Sequence, residues 1–176
     1  SVMSASAAME RETGALDVLI NNAGISGPLD QHISTVDMAA LREVFETNFF
    51  GPVQVTRAFL GLLKKSDAPL VLNVSSELGS LTMHGVMPTA NYRKYDVYSC
   101  SKAALNAFTV MLAGELHDTA VRVNSVTPGF TATDLNHHTG TQTVEEGARV
   151  IVNAVHASGD RATASGRFFR QQEIPW

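Results

Sequence analysis

Three short, unbroken apolar runs constrain this chain most: "LDVLINNAG", "PLVLNVSS" and "VRVNSVTPG". Each ends in Asn, Ser, Pro or Gly. Apolar runs of strand length that do not alternate, bounded by turn-forming residues, predict strands buried on both faces of a parallel sheet. Helix-length patterns separate them. Residues 1–13 predict a helix with Val2, Met3 and Ala7 on one side and Gly14 at its end. Asp37 is placed to cap a long helix through "MAALREVFETNFFGPVQVTRAFLGLLKK". "YSCSKAALNAFTVMLAGEL" predicts another. "TVEEGARVIVNAV" predicts a last one, with Thr143 as its cap and Glu145 and Glu146 placed favourably in its first turn. Residues 77–96 and "FTATDLNHHTG" predict loops, and "GRFFR" a final short strand. Strands alternating with helices define an α/β fold around a parallel sheet. The length of 176 residues, without an internal repeat, fits a single unit over residues 1–176.

Composition narrows the function classes. The formal net charge is -4, and the densest basic pairs are Lys64–Lys65 and Arg93–Lys94, which argues against nucleic acid as a partner. The longest apolar runs fall far short of the ~18 residues that span a bilayer, so no membrane segment is expected. The first residues lack the pattern of a signal peptide. Cys100 is the only cysteine, which rules out an intrachain disulfide and is compatible with a reducing compartment. A cytoplasmic protein is the expectation. The histidines form no ligand set: His137 and His138 are adjacent, and His84 lies in the 77–96 loop. No metal is assigned.

In sheets of this kind functional groups sit beyond the carboxyl ends of the strands. Those ends carry Asn21–Gly24, Asn73–Ser76 and Thr127–Gly129. Each alone reads as ordinary turn chemistry. Tyr98 and Lys102 are four residues apart on a predicted helix and so share a face. They read either as a catalytic phenol with a tuning cation or as two surface residues, the commoner meaning of an isolated pair. Pro52 lies four residues after Asn48 and has no N–H, so the Asn48 carbonyl loses its helical partner and becomes a candidate water site.

Taken in order, "LDVLINNAG", "ETNFFG", "VLNVSS", "YSCSK" and "RVNSVTPGFTAT" resemble the short-chain dehydrogenase/reductase family. "PGFTATDLNHHTGTQTVEEGA" and the terminal "PW" resemble its carbonyl-reductase-like branch. The resemblance implies a doubly wound Rossmann sheet and hydride transfer between a nicotinamide cofactor and a small carbonyl or alcohol substrate. It implies Tyr98 as acid/base, its phenol lowered toward neutrality by the Lys102 ammonium and the oxidised nicotinamide. Lys102 would also hold the nicotinamide ribose, and Tyr98 counts among the cofactor contacts. Ser76 would bind the substrate carbonyl, with Ser75 as the alternative. Asn48 would complete the set through a water on its backbone carbonyl. Asn22, Ala23 and Gly24 would pass the adenosine side of the cofactor, and Pro128, Gly129, Thr131 and Thr133 would meet the nicotinamide carboxamide. Tyr98 lies 22 residues beyond Ser76, more than is usual in the family, which implies an insertion looping out beside the substrate. NADP is slightly favoured over NAD, and homo-oligomerisation through the helices bearing Asn48 and Tyr98 is an expectation of the same resemblance.

The family's opening strand and its T-G-x-x-x-G-x-G turn have no counterpart here: Gly14, Gly24 and Gly27 do not make that pattern. The expectation is therefore a partial sheet, the carboxyl-terminal portion of a Rossmann-type domain without its first strands. Because residue 1 is Ser, a truncated gene product is favoured over a missing half supplied by another chain or a rearranged edge. Weaker cofactor binding and a bare outer edge on "DVLIN" follow. The competing reading is a catalytically inactive fragment acting through protein association. A serine hydrolase using Ser75 or Ser76 is a weak third, because no G-x-S-x-G elbow surrounds them.

Overall fold

A computed structural model describes residues 1–28, 31–86, 95–158 and 165–176. Four strands, β1 (Val18–Asn21), β2 (Leu70–Val74), β3 (Arg122–Val126) and β4 (Phe168–Phe169), form one parallel sheet in the order β1-β2-β3-β4. Parallel neighbours need crossover connections. Helices supply them: α2 (Met38–Phe45) and α3 (Gly51–Leu63) between β1 and β2, α5 (Asp96–Glu115) between β2 and β3, and α6 (Val144–Ser158) between β3 and β4. Helix α1 (Val2–Glu12) precedes the sheet and packs on α3. This is the parallel α/β sheet that the apolar runs predicted.

Successive side chains on a strand face opposite ways. Val71 and Val123 therefore join Leu63, Leu112 and Leu116 on the face covered by α3 and α5. Leu70, Leu72, Val74 and Val126 meet Ala154 of α6 on the other. β2 is buried at every position, as its unbroken apolar run demanded. β1 departs from the expectation of two buried faces. It is an edge strand, and Ile20 on its α6-side face is 41% exposed, because α6 lies over β2 instead. Its outer edge has no strand partner among the described residues.

Toward the carboxyl ends of the strands the α3/α5 face turns from apolar to polar. Asn21, Asn73 and Ser125 stand in register on adjacent strands, all buried. Asn21 Nδ2 donates to Asn73 Oδ1 (2.8 Å) and to Thr56 Oγ1 on α3 (3.0 Å). Asn73 Nδ2 donates to Thr109 Oγ1 on α5 (2.8 Å). Thr109 spends its one hydroxyl hydrogen on the Leu105 carbonyl (3.0 Å). Ser125 Oγ, 2.8 Å away, must therefore be the donor in the Thr109–Ser125 bond. The result is a directed hydrogen-bond ladder across three strands and two helices.

Asp37 caps α2 as expected, accepting from the backbone N–H groups of Ala39 (2.7 Å) and Ala40 (3.2 Å). The long helix that follows is interrupted by a π-helical turn, Glu46–Phe50, closed by the Gly51 N–H on the Glu46 carbonyl. The wider turn accommodates Pro52, which would otherwise clash inside an α-helix. Thr143 caps α6 through a reciprocal box: Glu146 N–H donates to Thr143 Oγ1 (3.2 Å), and Thr143 N–H to Glu146 Oε2 (2.8 Å). Two sequence readings need correction. Residues 77–96 are not simply a loop: Glu77–Gly79 is a 3-10 turn and Leu81–Val86 a short helix, α4, while residues 87–94 lie outside the described residues. Helix α5 begins at Asp96, two residues before Tyr98.

Asn73→Ala would remove the centre of the ladder, taking one buried acceptor from Asn21 and one buried donor from Thr109. We expect a loss of about 2–4 kcal/mol in unfolding free energy, measured by urea denaturation. A change below about 0.5 kcal/mol would contradict the ladder's role.

Candidate active site

The carboxyl ends of β1, β2 and β3 open into one cleft of about 1000 Å³. Asn22, Ala23 and Gly24 after β1, Ser75 and Ser76 after β2, and Pro128, Gly129, Thr131 and Thr133 after β3 all line it, with Tyr98 and Lys102 from α5. Of the residues given a catalytic or cofactor role by the resemblance, all but Asn48 line the wall. Asn48 lies directly behind it. Its side chain is fully buried and clamps the turn after β1: Oδ1 accepts from Ile25 N–H and Nδ2 donates to Ile25 C=O, both at 2.9 Å. Nδ2 also donates to Ser101 Oγ (2.9 Å), tying that turn to α5. Asn48 sits inside the π-helical turn, a distortion that recurs at functional sites.

Tyr98 and Lys102 are both buried, 9% and 3% exposed, so neither is the solvated surface residue that the isolated motif allowed. Lys102 Nζ lies 5.7 Å from the centre of the Tyr98 ring and donates to the Val74 carbonyl (2.8 Å). Burial lowers the Lys102 ammonium to about 8. Burial also pushes the Tyr98 phenol up to about 12, only partly offset by a hydrogen bond with the Ser76 side chain. Without a cofactor the direction is upward: desolvation of the phenolate outweighs the Ser76 hydrogen bond. Ser76 is the serine that pairs with Tyr98 and also accepts from Leu78 N–H (3.2 Å). The Ser75 hydroxyl is buried without a partner among the described residues.

The donors left over fit a nicotinamide cofactor. An ammonium has three N–H groups, and among the described residues only the Val74 carbonyl accepts from Lys102. The remaining donors lie against a turn stripped of side chain: a β-carbon on Gly24 would fall 3.4 Å from both Lys102 Nζ and Asn48 Oδ1. A buried cation with spare donors beside a glycine turn suits a vicinal diol such as ribose. Across the cleft, Gly129 has φ +88°, a conformation that favours glycine. Among the described residues no cluster of His, Cys, Asp and Glu is placed to hold a metal, and no helix is long and apolar enough to cross a membrane.

Three site residues had no sequence signal. Gln31, fully buried, accepts at Oε1 from the Tyr98 N–H (3.0 Å), while its Nε2 donates to the Ser26 carbonyl and to that of Pro28 (2.7 Å). It pins the start of α5 from a loop 67 residues earlier in the chain. Gln142 and Arg170 brace the loop after β3 from outside the cleft. Such long-range polar contacts leave no local pattern to read.

A parallel sheet with helices on both faces and a cleft beyond its strand ends is a Rossmann-type fold. Residues 1–144 match the model of the short chain dehydrogenase family, and the chain belongs to that family, in its carbonyl-reductase-like type. It is 30% identical to (+)-neomenthol dehydrogenase of Arabidopsis thaliana over 99% of this chain and 75% of that protein. It is 34% identical to the C-signal protein of Myxococcus xanthus over 93% of this chain and 95% of that one. The NADPH-bound carbonyl reductase from chicken fatty liver superposes with a TM-score of 0.83 at 26% identity, covering 100% of this chain and 73% of that structure.

Lys102 offers a test of the site's electrostatics. Its pKa is lower in the folded than in the unfolded chain, so the unfolded state holds more protons between pH 8 and 10.5 and stability rises across that window. Below it, the buried charge opposes folding. Lys102→Met should therefore raise the urea midpoint at pH 7, by an amount that shrinks as the pH approaches 10.5. An equal effect at both pH values would contradict a destabilising buried ammonium.

Proposed function

We propose that the cleft reduces a small-molecule carbonyl, or oxidises the corresponding alcohol, with NADP or NAD as hydride carrier and NADP slightly favoured. The observation that carries this reading is the convergence of Tyr98, Ser76 and Lys102, from two different elements, on one wall of the cleft. The bound nicotinamide supplies the hydride. The chain's residues supply orientation and the proton. Ser76, already paired with the phenol, turns the substrate carbonyl oxygen toward Tyr98. Tyr98, protonated at neutral pH, gives its phenolic proton to that oxygen as the alcohol forms. The Lys102 ammonium then stabilises the phenolate left behind and holds the ribose hydroxyls with its spare donors. Asn48 fixes the turn that backs Lys102, and its backbone carbonyl, to which Pro52 offers no N–H, seats the water that returns the proton. Asn22, Ala23 and Gly24 border the adenosine side, while Pro128, Gly129, Thr131 and Thr133 border the carboxamide.

Two of the similar proteins support this reading, a (+)-neomenthol dehydrogenase and an NADPH-bound carbonyl reductase. A second reading, association without turnover, has one observation in its favour: the outer edge of β1, with Ile20 exposed, is open to pairing with another strand.

Titrating the chain with NADPH separates the two. Hydride transfer requires a saturable change in nicotinamide fluorescence, whereas a flat response up to millimolar cofactor would favour association alone. Tyr98→Phe should cut carbonyl reduction by at least about 100-fold and leave NADPH affinity within about threefold, a limit of roughly 0.7 kcal/mol. Retained turnover would refute the assignment of the proton donor.

A further inference from the structure

Arg170 lies just beyond β4, outside the cleft, yet its guanidinium touches three segments that carry the site. Its Nη2 donates to Gln142 Oε1 (2.7 Å). Its Nη1 lies 3.6 Å from Glu77 Oε1, the residue after Ser76. Its planar head rests on Gly129, where a β-carbon would fall 2.5 Å from Cζ and Nη2. The arginine is itself held in place. Its N–H donates to the Gln172 carbonyl (3.0 Å), and the Ile174 N–H donates to that of Phe168 (2.8 Å), folding the tail back on β4.

Gln142 transmits the contact. One hydrogen of its amide goes to the Pro128 carbonyl and the other to Thr131 Oγ1 (2.7 Å), the segment lining the carboxamide side of the cleft. Its backbone pairs with the same loop, Ala132 N–H on Gln142 C=O (2.9 Å) and Gln142 N–H on Phe130 C=O (3.2 Å). A flipped amide would set its oxygen against the Pro128 carbonyl, acceptor facing acceptor. A guanidinium has only donors, so Arg170 permits one amide orientation. The exposed ion pair with Glu77 adds little by itself; its use is to tie the Ser76 side of the cleft to the same head.

We propose that Arg170 is a positioning residue that locks Gln142 and thereby sets the 128–131 segment against the Ser76 segment, so that cofactor and substrate sides keep one spacing. Its bearing on catalysis rests on the reading given under Proposed function.

The test uses the full chain. Arg170→Met should speed amide exchange at Ala132, Thr141 and Gln142 about tenfold, the loss of one charge-assisted hydrogen bond, while the β3 amides hold. NADPH affinity should fall by a similar factor, and KM should rise more than kcat falls. Gln142→Ala, which also removes the bonds to Pro128 and Thr131, should do at least as much, and the double variant should be no worse than Gln142→Ala alone. Glu77→Gln should leave exchange at residues 132, 141 and 142 unchanged. If Arg170→Met fails to fold, Arg170→Lys, which keeps the charge but not the fork, replaces it and should show the same faster exchange. Exchange within twofold of wild type, or additive effects in the double variant, would overturn the proposal. If the wild type binds no NADPH, the reading of function fails, while the exchange data still decide whether the clamp exists.

Discussion

The ladder from Asn21 through Asn73 and Thr109 to Ser125 is the interaction on which the site depends. Apolar packing on the α3/α5 face holds the sheet together but is tolerant of small slips. The directed bonds are not, because Thr109 has a single hydroxyl hydrogen and Asn73 cannot reverse its amide without setting two donors against each other. They hold Asn21, Asn73 and Ser125, at or next to the ends of β1, β2 and β3, level and fix α5 over them. The turns carrying Asn22–Gly24, Ser75–Ser76 and Thr127–Gly129 leave from that line. α5, tied to it at Thr109, carries Tyr98 and Lys102 into the same cleft.

That placement has an electrostatic cost, and the cost is informative. A buried ammonium lowered to about 8 and a buried phenol raised to about 12 both oppose the charged state. Neither is arranged for stability. Gln31 at the start of α5 and Asn48 behind the β1 turn hold the pair in spite of it. At neutral pH the phenol keeps its proton, a resting state that suits the proton donor proposed above.

Much of this was legible in the chain itself. Unbroken apolar runs gave the buried strands because a strand covered on both faces needs no polar side chain. Asp37 and Thr143 were readable as caps because a cap acts on residues next to it. The residues at the strand ends and the pair on α5 were readable only jointly, through the order in which they occur. What escaped was non-local. The exposure of Ile20 depends on which strand α6 covers, the meaning of Asn73 on a threonine 36 residues away, and the parts played by Gln31 and Arg170 on distant partners. The π-helical turn was half visible: Pro52 announced a lost hydrogen bond, but not that the helix would widen to absorb it.

The most direct test is ultraviolet titration of the phenol, taken as wild type minus Tyr98→Phe so that the other tyrosines cancel. Tyr98 should show no ionisation below about pH 11 in the free chain, and should ionise at lower pH once NADP in its oxidised form is added. A Tyr98 that titrates near 10, the ordinary value for a phenol, with or without the dinucleotide, would contradict a buried proton donor governed by the charge beside it.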